Sequence, residues 1–195
     1  MRNIVFKLLI TFFLSQVAIN AEATIFYTAN LNGLAESIPN ASTGSGFVTV
    51  GFDASANTLS INASFSGLTG IDTAAHIHCC VAPPANAAVA TETPSFIGFP
   101  LGVTSGTYNQ LFDLTQVSSF SSGFITSQGG TVASAEAALA AGLASGEAYF
   151  DIHSNIYPGG EIRGFLVPQV PEPEIYVMML FGIGLLGLTA RRRKN

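Results

Sequence analysis

The sequence predicts an all-β domain, a sandwich or barrel with one short inserted helix, set between two segments addressed to a membrane. Three observations lead there. Apolar residues recur with a period of two along short stretches of the middle of the chain, and clusters of Gly, Ser and Asn separate those stretches. One stretch, 134–143, is alanine-rich and has helical composition instead. The length of 195 residues leaves room for one such domain and no need for two.

The strands follow in order. Residues 25–29 open the domain, and 47–52 follow a Gly/Ser turn. In 59–65 the apolar Leu59, Ile61, Ala63 and Phe65 alternate with Ser60, Asn62 and Ser64. The polar link 53–57 makes 47–52 and 59–65 a hairpin. Residues 74–79 form another strand, and 148–153 with 161–167 form a last pair around Tyr157-Pro158-Gly159-Gly160. The helix over 134–143 has Glu136 near its start and Gly142 or Gly146 as its stop. Between 81 and 106 runs a loop-like segment with four prolines, long for a plain connection. It is expected either to be ordered over the sheet or to line a site.

Charge divides the chain more sharply than its overall −5 suggests. Arg2 and Lys7 lie near one end, and Arg191, Arg192, Arg193 and Lys194 at the other. From 24 to 173 Arg163 is the only Lys or Arg and faces ten carboxylates, a formal −9. Such a surface cannot neutralise phosphates, so nucleic acid is excluded as a partner. Gly-x-Ser-x-Gly is missing and the Gly-rich pieces sit on β-turns, so neither a serine nucleophile nor a phosphate cradle is supported.

Residues 1–23 read as a signal peptide, for signal peptidase to remove: a basic start, an apolar run over 8–19, and Ala21-Glu22-Ala23. The domain is expected over 24–168. Residues 169–195 then have three parts: Pro171-Glu172-Pro173 as a stiff extended spacer, an apolar run over 175–190, and the Arg cluster. As a helix the sixteen apolar residues would be about 24 Å long, a short membrane span. The Arg cluster stays cytoplasmic, which places the domain outside.

Chemistry gathers on the three histidines, in His76-Ile77-His78 and Asp151-Ile152-His153. Residues two apart on a strand share a face, so His76 and His78 point the same way. With His153 from another strand they would form a mononuclear copper or zinc site, Asp151 either ligating or orienting a ring. Hydrogen-bonded structural histidines are the plainer reading. Cys79-Cys80 has two readings. Consecutive α-carbons are about 3.8 Å apart, below the usual disulfide range of about 4.4–6.8 Å, so a bridge would be a strained vicinal one. Otherwise the thiolates would join the histidines on Zn²⁺ or Cu⁺. Arg163 is expected in a structural ion pair with Asp151 or Asp72, ahead of a role as a carboxylate clamp. Tyr27, Tyr108 and Tyr157 are the aromatics available to a polysaccharide-binding surface, in a chain without Trp.

Two resemblances add to this. The tail, with Pro171-Glu172-Pro173, 182–188 and Arg191-Arg192-Arg193, resembles the PEP-CTERM sorting signal. That implies cleavage by a membrane-embedded exosortase in a Gram-negative bacterium that makes exopolysaccharide, and loss of a transient anchor. Ala75-His76-Ile77-His78, Tyr149-Phe150-Asp151-Ile152-His153-Ser154 and 158–164 together resemble the CHRD domain found in chordin and in microbial secreted proteins. This implies an immunoglobulin-like β-barrel, distantly similar to Cu/Zn superoxide dismutase, whose copper-binding H-x-H has the form of His76-Ile77-His78. A full dismutase set of histidines is not present. The expectation is therefore a secreted or cell-surface, non-catalytic β-domain associated with extracellular matrix or exopolysaccharide, with the mononuclear metal protein as the alternative.

Overall fold

A computed structural model describes residues 24–169. The expected signal peptide over 1–23, the Pro171-Glu172-Pro173 motif and the expected span over 175–190 lie outside those residues. Eight strands carry the fold: β1 Ile25–Asn32, β2 Ser45–Asp53, β3 Thr58–Ser66, β4 Asp72–His78, β5 Gly106–Asp113, β6 Tyr149–Ser154, β7 Ile162–Phe165 and the short β8 Val167–Pro168. Two helices, α1 Ser122–Ser127 and α2 Val132–Ser145, are inserted between β5 and β6. Among the described residues no helix is long and apolar enough to cross a membrane.

All strands belong to one antiparallel sheet in the order β4-β6-β7-β1-β2-β3-β5, with β8 beside β1. The all-β class with an inserted helix is what forms, and the sheet curls into a half-barrel. Its concave side carries the apolar half of each alternating strand: Val48 and Val50, Leu59 and Ile61, Ala75 and Ile77, Phe150 and Ile152, all 0–1% exposed. The expected hairpin is present, with Leu59 opposite Phe52 and Ile61 opposite Val50. Its turn is held by Asp53, whose carboxylate accepts from the Ser55 and Ala56 amides.

The open side of the half-barrel is filled by the segments between strands. Helix α2 starts on a reciprocal Thr131–Ser134 capping box and stops at Gly146, at φ 71°. It lays Ala135, Leu139 and Leu143 into the core. Phe96, from the proline-containing segment, sits 5.3 Å from Phe112 of β5 and 5.8 Å from Phe150 of β6. One ring thus joins the two ends of the curl.

That segment is ordered over the sheet. Its amides at Ala90 and Phe96 donate to the Ile77 and Ala75 carbonyls of β4, and Gly102 donates to Asp72. The free edge of β4 is covered and cannot template another chain. Two elements were not legible. β5 alternates Tyr108 and Phe112 inward, but Leu111 on the outer face is 62% exposed and blurs the pattern. The two-turn α1 is fixed chiefly by its Ser121 cap and buried Phe124.

Glu161 locks the corner beside β7. Its buried carboxylate accepts from the Thr69 and Gly70 amides and the Ser42 hydroxyl. Burial pushes its pKa up, but bonds from Ser154, Ser42, Thr69 and Gly70 outweigh that and hold it below the usual carboxylate value. A depressed folded pKa contributes stability above the unfolded pKa, lost as pH falls through the folded one. Glu161→Gln is therefore expected to lower stability by roughly 2 kcal/mol at neutral pH. The gap to wild type should close below the folded pKa in urea titrations, and a gap independent of pH would contradict the assignment.

Candidate metal centre

The convex face of β4, β6 and β7 is also largely buried, and most of its residues are polar. Cross-strand register builds it in rows. His78 faces Tyr149, which faces Phe165; His76 faces Asp151, which faces Arg163; Ala74 faces His153. Alternation places His76, His78 and His153 on this side because Ala75, Ile77 and Ile152 take the core. Ala74, opposite His153, presents only a methyl group and leaves room for the ring.

The three imidazoles converge. Their ring centroids form a near-equilateral triangle with sides of 5.3, 5.7 and 5.7 Å. One nitrogen from each lies within 4.8 Å of the others.

Hydrogen bonding divides the nitrogens of each ring in the same way. His76 Nε2 donates to the Pro94 carbonyl at 2.7 Å, His78 Nδ1 to Ala87 at 3.0 Å and His153 Nδ1 to Pro158 at 3.1 Å. The other nitrogens, His76 Nδ1, His78 Nε2 and His153 Nε2, are buried without a partner. Backbone carbonyls thus set three tautomers and leave three lone pairs, the outer-shell arrangement that orients histidine ligands. Burial, foremost, holds all three pKa values below the usual imidazole value, that of His78 down to about 4. The rings are neutral at pH 7 and able to ligate. A donor set of three neutral imidazoles suits zinc or copper, and the orphaned lone pairs are what such an ion would satisfy.

Beside the rings lies a carboxyl pair. Asp151 Oδ2 is 3.9 Å from His153 Nε2, and Asp151 also meets Glu36, which follows the 3-10 turn Gly33–Ala35. Burial pushes both carboxyls up, Glu36 to about 7 and Asp151 well above its usual value; their proximity raises Asp151 further and Arg163 opposes the rise. Gly160, at φ 128°, lies against both carboxyls, and a Cβ there would come within 2.8 Å of their oxygens.

Arg163 is fully buried, and its ion pair is with Glu36, Nε to Oε2 3.6 Å. This corrects the expected pairing with Asp151 or Asp72. Asp151 is its cross-strand neighbour, but the guanidinium reaches past it to the Ala35 and Pro84 carbonyls and Asn86 Oδ1, each at 2.7 Å. Asp72 is held instead by the Val103 amide. Tyr149 stacks between His78, ring centroids 4.9 Å apart, and the Arg163 guanidinium, 4.7 Å from its ring.

Cys79 and Cys80 are joined in a vicinal disulfide. Their sulfurs pack on Gly142 of α2, on the core side, and Cys80 Sγ approaches the Ala138 carbonyl. They do not join the histidine cluster. Glu36, Tyr149 and the carbonyls of Ala87 and Pro94 escaped sequence reasoning. No local pattern marks the two carbonyls, because backbone acceptors have no sequence signature, and the roles of Glu36 and Tyr149 follow only from loop and cross-strand packing.

Fold and site together define a β-domain with a buried three-histidine cluster on the convex face of a curled sheet. Residues 27–166 match the family profile of the CHRD domain, and the chain belongs to that family. Residues 169–194 match the PEP-CTERM protein-sorting motif. That motif marks the chain for export and for exosortase cleavage of its membrane tail, leading to the cell surface. No curated protein and no solved structure matches the chain.

Proposed function

We propose that the processed domain is a non-catalytic module of the cell surface or extracellular matrix that holds one copper or zinc ion on His76, His78 and His153. The observation that carries the metal reading is the set of three buried, unpartnered ring nitrogens, each on a ring whose other nitrogen is tied to a backbone carbonyl. An apolar filling would have been the cheaper solution for a purely structural face. The surface reading is supported by the sorting motif and the absence of a nucleophile motif. Removal of residues 1–23 by signal peptidase and association with matrix or exopolysaccharide complete it.

Elemental analysis tests the metal. Full-length protein loaded with zinc or copper and desalted is expected to keep about one equivalent of one of them, set by the single three-ligand cluster. Protein at a free metal concentration 100-fold above Kd should gain about 2.7 kcal/mol of stability. His76→Ala and His78→Ala should lose both effects while keeping the β circular dichroism of the parent. Sub-stoichiometric copper and zinc in folded wild-type protein would end the metal reading.

A further inference from the structure

We infer that the convex face of β1, β2, β3 and β5 binds a neutral polysaccharide. This face lies along the same sheet from the histidine cluster, and it deepens the matrix part of the proposed function without depending on a metal. Register fixes its side chains in rows that cross four strands. Asn30, Phe47, Ser64 and Thr107 make one row, and Thr28, Thr49, Asn62 and Asn109 the next. With strands about 4.8 Å apart, each row is about 14 Å long, room for a short run of pyranose rings.

The chemistry of the rows is uniform. Seven of the eight side chains are amides or hydroxyls, and none is ionisable. Side-chain hydrogen bonding within the fold is confined to the borders of this face, at Asn32, Asp53, Ser60, Ser105 and Asp113. Asn30, Asn62, Ser64 and Asn109 therefore keep donors and acceptors for an external partner. Phe47 stands among them 46% exposed, and Phe26, two residues from Thr28 on β1, is 45% exposed. Around Phe47 the surface dips into a groove of about 750 Å³ lined by Asn30, Ser45, Ser64, Ser66 and Thr107.

Charge selects the occupant. The carboxylates that reach the surface, among them Asp53 and Asp113 at one end of the strands, repel a polyanion, and among the described residues Arg163, fully buried, is the one Lys or Arg. A cationic partner would seek those carboxylates and not the charge-free rows. A protein partner of ordinary size needs an apolar centre, and Phe26, Phe47 and Leu111, set apart on β1, β2 and β5 with Gly51, Ser60 and the polar rows between them, do not supply one. A neutral glycan satisfies what is present: its C–H face covers Phe47 while its hydroxyls trade bonds with the amides and hydroxyls alongside. Of the three tyrosines expected to serve such a surface, Tyr27 and Tyr108 are buried in the core and Tyr157 is half-buried in the loop between β6 and β7, away from these rows; Phe47 takes that role.

Affinity electrophoresis of the full chain in mild detergent tests this, with gels containing soluble β-glucan, mannan, galactomannan or, as the polyanion, alginate. At least one neutral polymer is expected to retard the wild type and alginate not to. Phe47→Ala and Ser64→Asp should each weaken retardation at least tenfold, and Ile97→Ala, on an exposed loop away from the face, should leave it unchanged. The inference is overturned if no neutral polymer retards the protein, if alginate alone does, or if sedimentation shows a Phe47-dependent dimer instead. Metal content measured on the same samples separates the readings: retained metal without glycan binding sinks this inference and leaves the metal site standing.

Discussion

Arg163→Ala is expected to lower the stability of the domain by about 4 kcal/mol, the largest single-residue effect in the molecule. The guanidinium is fully buried, and each of its three nitrogens donates at 2.7 Å, to Ala35, Asn86 and Pro84. Removing it breaks the three bonds that pin the loops carrying Ala35, Pro84 and Asn86, and it takes away the charge opposing the Glu36–Asp151 pair. It also leaves a void beside Tyr149 and Phe165, over whose rings the guanidinium lies. With a urea m-value of about 2 kcal/mol/M, the midpoint should fall by about 2 M. Arg163→Lys keeps the charge but cannot reach three divergent acceptors, so it should recover less than half of the loss. A midpoint shift below 0.5 M for the alanine variant, about 1 kcal/mol, would show that the pinned loops hold themselves.

The second large effect is expected at Gly142, where two principles give opposite signs. Alanine in a helix interior is ordinarily about 0.8–1.0 kcal/mol better than glycine, so an unhindered Gly142→Ala would stabilise α2. Here a Cβ would overlap the sulfurs of both Cys79 and Cys80. Helix α2 must then move off the sheet, and Leu139 and Leu143, both fully buried, move with it. The expected outcome is destabilisation by about 3 kcal/mol, the upper range of overpacking. Thermal unfolding of Gly142→Ala beside Ala141→Gly, on the exposed side of the same turn, decides it. The exposed change should cost about 1 kcal/mol from propensity alone. A stabilised Gly142→Ala would mean that the disulfide does not rest on the helix.

Both effects come from close approach between segments far apart in the chain, where reading residues in order has least power. Gly142 and Gly146 were equally legible as helix stops; α2 runs through Gly142 and ends at Gly146. A glycine that admits a neighbouring sulfur and a glycine that ends a helix look alike in sequence, since both answer to the absence of Cβ. Arg163 was legible as a structural ion pair because a lone cation in an acidic domain must be compensated. Its partner was not, because the choice among Glu36, Asp72 and Asp151 depends on which loop folds over the convex face.

The sequence by itself determined the all-β class, the β2–β3 hairpin, the helix near 134–143 and the shared face of His76 and His78. Each follows from a period of two, from helix propensity or from a turn, interactions that reach only a few residues along the chain. The tail motif is local in the same sense. Tertiary structure alone decided that the sheet curls until Phe96 can bridge β5 and β6, that both faces of β4 and β6 are buried, and that three histidines gather with one unpartnered ring nitrogen each. Those outcomes depend on carbonyls of Ala87, Pro94 and Pro158 arriving from segments with no regular structure. A backbone carbonyl is present at every residue, so only the folded path reveals which one meets a ring.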